Sequence, residues 1–287
     1  MHPFAYVAPT SLEEAAALLT QHGPEAKVLA GGQSLIPILN YRLARPGVVI
    51  DIGGLPLDGA REVDGRLHLG ALTRHAELEE SALVARACPL LREAARLVGN
   101  VRVRALGTLG GSLAHADPAA ELPMAVLALD ARVTAASTRG TRTLAAADLF
   151  SGYLTTALAA DEILTEIDVP VTHGAGVAVE EQSRRAGDFA VVAVAAVVTI
   201  DRRGRVDDAR LAYAGVGATP VRATAAEDAL RGHEPVAERL ARAVELARAA
   251  IEPPSDAFVS AAYRKLLIGV LTRRALTRAV AGAMAVA

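Results

Sequence analysis

The chain has 287 residues, 52% of them hydrophobic, and a formal net charge of −2 at pH 7. That length allows about two or three modest cores, and the balanced charge excludes a surface built to neutralise nucleic-acid phosphates. Cys88 is the single cysteine, so the chain has no internal disulfide, no iron–sulfur ligand set and no structural zinc site of Cys/His type. Redox chemistry would therefore have to come from an organic cofactor or from another chain.

Ser11, with Glu14 three residues on, is a capping box opening a helix that ends near Gly23. Lys27–Ala30 reads as a short strand stopping at Gly31-Gly32. Ser34 then caps a helix with Pro37 in its first turn, and Arg45-Pro46-Gly47 ends it before a strand over Val48–Ile52. This order predicts a small parallel unit. Asp64-Gly65, flanked by Arg61–Val63 and Arg66–Leu69, predicts a hairpin. One helix is expected from about Ser81 to Val98, with Leu83, Ala87, Leu90, Leu91 and Ala94 on one stripe.

A glycine-rich loop from Gly107 to Pro123 follows, then strands near Ala131–Ala135 and Arg142–Leu144 about a turn at Arg139-Gly140. Asp161–Ile167 leads to Pro170 as an edge strand. Val171–Gly176 reads as a linker. Beyond it come a strand ending near Arg184, the apolar run Ala190–Ile200, a turn at Arg202-Arg203-Gly204 and a strand through Leu211–Ala214. The apolar run is half the ~20 residues of a membrane helix and rich in Val, so it reads as a buried strand. Helices are expected over about 234–250 and 256–281, the second burying Leu266, Leu267, Val270, Leu271 and Leu276. The whole is α+β, divided at 1–55, 56–172 and 173–287. With no apolar leader visible after Met1, the expected location is cytoplasmic.

Two glycine motifs carry the chemistry. The first is Leu29-Ala30-Gly31-Gly32-Gln33-Ser34-Leu35, where an apolar strand runs into paired glycines and then a helix start. Such a turn admits positive φ, has no Cβ to block a ligand, and aims unpaired N–H groups where a phosphate can sit. The second, Thr108-Leu109-Gly110-Gly111-Ser112, repeats the device and continues to Asp117 and Glu121. Two such loops can clamp the phosphates of a dinucleotide through backbone N–H groups, while the carboxylates suit sugar hydroxyls. Taken singly, each also suits a ligand-free turn. Neither is the G-x-G-x-x-G fingerprint, and no Walker lysine follows.

Both motifs, with Ala116-Asp117-Pro118, resemble the paired FAD motifs of the molybdenum hydroxylase flavoproteins; the resemblance extends in order to Asp161-Glu162-Ile163-Leu164 and Arg184–Ala190, and Tyr263–Leu267 with Leu271–Leu276 resembles the family's C-terminal domain. That family includes the medium subunit of carbon monoxide dehydrogenase and the flavin domain of xanthine dehydrogenase. The resemblance implies a vanillyl-alcohol-oxidase-type fold with FAD between two α+β subdomains and a C-terminal domain of a small antiparallel sheet with helices. It implies pyrophosphate against residues 30–35 and 108–112, Glu121 at the adenosine ribose, and Leu164 and Phe189 beside the flavin. It also implies two partners: a molybdopterin-binding large subunit and a small subunit with two-iron two-sulfur clusters, assembled as a dimer of heterotrimers. The FAD would then pass electrons to quinone, NAD or oxygen. Gln33 and Glu180 depart from the pattern, since many relatives have His at the first position and xanthine-type relatives have Lys at the second. The competing readings are a self-sufficient flavin oxidase or dehydrogenase, which would need a general base at the flavin, and a cofactor-free scaffold. Cys88 reads as a buried structural thiol and His75 as an ordinary surface histidine, not a covalent flavin anchor.

Overall fold

A computed structural model of the chain describes residues 1–286. Val48–Asp51 lies between Ala5–Val7 and Ala26–Leu29, all parallel, which bears out the expected parallel unit. Helix Leu12–His22 packs on this sheet. Its N-terminus is capped by the Ser11 hydroxyl, which accepts from the Glu14 N–H at 3.1 Å. The Glu14 carboxylate reaches back to the Thr10 N–H at 2.7 Å, one residue earlier than a standard capping box.

The next layer is a five-stranded antiparallel sheet in the order Ala60–Val63, Arg66–Gly70, Ile163–Pro170, Arg132–Ser137, Gly140–Ala145. The Asp64-Gly65 hairpin forms, with both residues at positive φ as its turn requires. Ile163–Pro170 is the central strand, not an edge. Pro170 ends it opposite Arg66, where the missing N–H interrupts no further pairing.

The helix expected from Ser81 to Val98 is two, Ala82–Ala87 and Pro89–Leu97. Pro89 drives Cys88 out of the helical region to φ −149°, so the chain bends there. Ala87, Leu90, Leu91 and Ala94 remain buried, and Cys88 is wholly buried, which raises its thiol to about 12. The expected loop from 107 to 123 is also largely helical, as Leu109–His115 and Glu121–Ala128.

The C-terminal sheet is antiparallel: Gly176–Ser183, Ala190–Ile200, Val206–Ala214 and the short Val221–Arg222. Ala193, Ala195 and Val197 face the core built by the 56–172 region, while Val192, Val194, Ala196 and Val198 face the core beneath the helices Ala237–Ala250 and Ala261–Met284. Burial on both faces explains why this strand reads as an unbroken apolar run rather than alternating. In the last helix Leu267, Leu271 and Leu276 are buried as expected, but Leu266 and Val270 are exposed. That helix lies on one side of the sheet only, so its buried stripe is narrower than the leucine spacing suggested. The linker Val171–Gly176 is pinned, the Thr172 N–H donating to the Ala87 carbonyl at 2.9 Å. No helix among the described residues is long and apolar enough to cross a membrane.

The last helix lies directly against the sheet at Gly176, where a Cβ would fall 1.7 Å from the Ala279 carbonyl oxygen. Gly176→Ala must push strand and helix apart. The expected cost is about 2–3 kcal/mol, seen as a fall in Tm of roughly 5–10 °C in a thermal melt.

Candidate functional site

The first glycine motif is a bend between strand Ala26–Leu29 and helix Leu35–Asn40. Gly32 takes φ +70°, a conformation costly for any other residue at this sharp turn. The Gln33 amide donates to the Gly31 carbonyl at 3.0 Å and staples the turn, so it is already engaged within the loop. Ser34 has helical backbone angles and makes no side-chain cap, contrary to the expected N-cap role. Its displacement from capping follows from geometry: a cap needs extended backbone at that position. Among the described residues, the backbone N–H groups of Gly31, Gly32, Gln33 and Ser34 find no acceptor. Four consecutive free donors in a bend form an anion cradle.

The second motif behaves differently. The Leu109 and Gly110 N–H groups donate to the Thr73 and Ala71 carbonyls at 2.9 and 2.8 Å, and the Gly111 N–H donates to the Thr108 hydroxyl at 3.1 Å. Gly110 and Gly111 are thus helical residues whose backbone donors are spent. The clamp of two N–H loops expected from sequence is one N–H loop backed by a helix start. Gly110 lacks a Cβ because one would sit 2.6 Å from the Ala71 side chain. Thr108 is buried as the helix cap, Ser112 is half-buried, and Ala116 ends the helix at φ 53°.

The two motifs touch. A Cβ on Gly31 would fall 2.2 Å from the Leu106 carbonyl oxygen, and one on Gly111 would fall 3.9 Å from the Ala30 methyl. The Arg74 guanidinium donates to that same Leu106 carbonyl. Behind Gly107 lies the His75 ring, 95% buried rather than on the surface, with neither ring nitrogen hydrogen-bonded. Burial lowers its pKa to about 4, the nearby Thr108 backbone opposes that fall, and the charges of Arg104 and Arg74 add to it, so the ring is neutral at pH 7.

Helix Val101–Leu106 leads from this junction, over about 9 Å, to a cleft of about 580 Å³ between the 97–104 segment and the 179–187 segment. Its rim closes where a Cβ on Gly187 would meet the Gly99 carbonyl at 2.7 Å. Glu180 and Glu181 stand in its wall with Arg278, which bridges Glu180 at 2.7 Å and Glu93 at 3.0 Å. Leu164 is buried in the central strand, whose neighbour on that side is helix Leu109–His115. Phe189 is exposed on the loop that follows Gly187. Leu29 through Leu35 are half-buried, and Asp117 caps its own turn by accepting from the Ala119 N–H at 2.9 Å.

Glu121, first residue of helix Glu121–Ala128, is 97% buried. Burial raises its pKa to about 8, the charges of Glu181 and Asp117 add to the rise, and only its own backbone N–H opposes it. Glu181 is raised to about 6, also by burial, and its Oε2 is buried without a partner.

Residues 2–172 match the family described as FAD binding domain in molybdopterin dehydrogenase, and residues 177–279 match the CO dehydrogenase flavoprotein C-terminal domain. The chain belongs to the FAD-binding molybdopterin dehydrogenase family. It is 40% identical to the 6-hydroxypseudooxynicotine dehydrogenase complex subunit alpha of Paenarthrobacter nicotinovorans, across 96% of this chain and 94% of that one. It is 38% identical to the carbon monoxide dehydrogenase medium chain of Afipia carboxidovorans, across 98% of both. The fold superposes with a TM-score of 0.95 on a chain of carbon monoxide dehydrogenase from Hydrogenophaga pseudoflava, at 39% identity and with 98% and 99% of the two chains covered.

The chain is therefore an FAD-binding oxidoreductase subunit, and its residues fit that cofactor: the N–H groups of residues 31–34, unpaired among the described residues, suit a pyrophosphate. The cleft residues Asn100, Arg104, Glu181 and Arg278 were missed by sequence reasoning, because no motif links segments so distant along the chain. Two tests follow from this flavoprotein geometry. Gly31→Ala displaces the Leu106 carbonyl, at a cost of about 1.4 kcal/mol or more, and should weaken FAD by about tenfold in a fluorescence titration. Glu121 sets a pH dependence. The unfolded chain loses this proton near the ordinary carboxylate value, while the folded chain keeps it to about 8. The FAD-free chain should therefore lose stability as pH rises across that window, and Glu121→Gln should flatten the denaturation profile and stabilise the chain at pH 8.

Proposed function

We propose that this chain is the electron-transfer subunit of a molybdenum-dependent hydroxylase or dehydrogenase complex. A small subunit with two-iron two-sulfur clusters delivers electrons to its FAD, a large molybdopterin-binding subunit oxidises the substrate, and the three chains pair as a dimer of heterotrimers in the cytoplasm. Quinone, NAD or oxygen receives the electrons. The observation that carries this reading is the cradle of four unpaired N–H groups at Gly31–Ser34, set directly against the Leu106–Gly107 backbone. The names of the relatives, which are complex subunits and medium chains of dehydrogenases, support the assembly.

Residues 1–55 and 56–172 act as the two FAD-binding subdomains and 173–287 as the C-terminal flavoprotein domain. The Gly31–Ser34 N–H groups hold the pyrophosphate, with the hydroxyls of Ser34 and Ser112 at its edges. Glu121, whose carboxyl feels the charge of Glu181 in the cleft wall, takes a sugar hydroxyl. Being protonated at neutral pH, it can donate as well as accept there. Leu164 supplies an apolar surface and Phe189 an exposed ring for the isoalloxazine. FAD supplies the ability to collect two electrons and release them together; the chain positions it and limits water around it. This subunit role calls for no general base on the chain, and His75 is buried behind Gly107.

The experiment is reconstitution of the full chain with FAD, alone and with its two partners. The chain alone should show flavin absorbance that is lost on denaturation and filtration, and its flavin should stay oxidised with substrate. The assembled complex should bleach it. No flavin absorbance after reconstitution, or bleaching by substrate in the isolated chain, would overturn the reading.

A further inference from the structure

Arg264 is a buried cation outside the motifs that hold FAD, 8% exposed, in the last helix. Its guanidinium donates at 2.5 Å to the Val191 carbonyl and at 2.5 Å to the Gly215 carbonyl, and pairs with the Asp256 carboxylate. Val191 is the second residue of the strand Ala190–Ile200, and Gly215 follows the strand Val206–Ala214, so one side chain joins neighbouring strand ends to the helix.

Each of those contacts continues toward the cofactor region. The Gly215 N–H donates to the Pro118 carbonyl at 2.8 Å, inside the Ala116–Glu121 turn that follows the second glycine motif. Asp256, held by Arg264, accepts from the Phe258 and Val259 N–H groups at 2.7 and 2.8 Å. The Phe258 ring lies 5.0 Å beneath the Arg184 guanidinium, at the start of the loop that carries Gly187 and Phe189. Val191 itself stands two residues after Phe189. Arg264 is thus the point from which both the 116–121 turn and the 184–189 loop are fixed, the first through Gly215 and the second through Asp256 and Phe258.

We propose that Arg264 is a positioning residue for FAD: it sets the 116–121 turn and the 184–189 loop at the spacing the cofactor needs, without touching the cofactor itself. This rests on the FAD reading given above. Nη1 donates to both carbonyls while Nη2 pairs with the carboxylate, so the planar group spans its acceptors with two separate nitrogens; an ammonium keeps the charge but loses this fork. Burying the cation is sustained only by these three acceptors. Lys265, the adjacent residue, makes a comparable tie to the Ile251 carbonyl at 2.8 Å and to Glu252, but that tie reaches neither the 116–121 turn nor the 184–189 loop. It is the natural control.

The test compares full-length wild type, Arg264→Lys, Asp256→Asn and Lys265→Met by amide hydrogen exchange without FAD and by FAD titration. Arg264→Lys should speed exchange at the Gly215 N–H and within 116–121 and 184–189 by about tenfold, and raise the FAD Kd by about tenfold. Asp256→Asn should do the same more weakly, and covers the case in which Arg264→Lys does not fold. Lys265→Met should change neither region nor the Kd. Uniform acceleration of all protected amides, or an unchanged Kd despite the local loosening, would overturn the proposal in favour of a purely structural arginine. If wild type itself takes up no FAD, the cofactor reading has failed and this proposal falls with it; if wild type binds FAD and the variants match it, only the role of Arg264 is lost.

Discussion

The carbonyl oxygen of Leu106 lies where a side chain on Gly31 would have to be, and the rest of the site is arranged around that contact. It fixes the distance between the loop that leaves the parallel sheet and the end of helix Val101–Leu106. Because the loop leans on backbone rather than on a flexible side chain, neither partner can yield cheaply. The bend at Gly32, the Gln33 staple and the Arg74 tie to the same carbonyl all hold the four free N–H groups in one place. A preorganised cradle of this kind binds an anion without first having to order itself.

The two glycine motifs look alike in sequence and differ in physical role. In the first, glycine leaves donors unpaired; in the second, glycine lets a helix settle onto Ala71 while its donors are taken by Thr73, Ala71 and Thr108. Two adjacent glycines disfavour a helix by about 1 kcal/mol each on propensity alone. Packing against the Ala71 backbone and a threonine cap overrode that preference, which is why the 107–115 segment read as a loop.

What was legible in the sequence was local: the Ser11 helix start, the Asp64-Gly65 turn, the parallel unit around Val48 and the paired glycines. What was not legible depended on distant neighbours. His75 is buried because segment 103–108 folds over it, Ile163–Pro170 is central because hairpins from both sides reach it, and Leu266 and Val270 stay exposed because only one side of their helix meets the sheet. The cleft carboxylates are the clearest case. Glu180 and Glu181 sit in an ordinary strand, and nothing in their spacing signals that residues 97–104 will face them.

The strand Ala190–Ile200 divides its side chains between two cores, one on each face. A strand shared in this way acts as a party wall: neither room can be dismantled while the other stands. Loosening the C-terminal helices strips one face of the strand and thereby weakens the core that carries the second glycine motif on the other. A truncated chain that kept every glycine would therefore still lack the wall on which the core of the second motif leans.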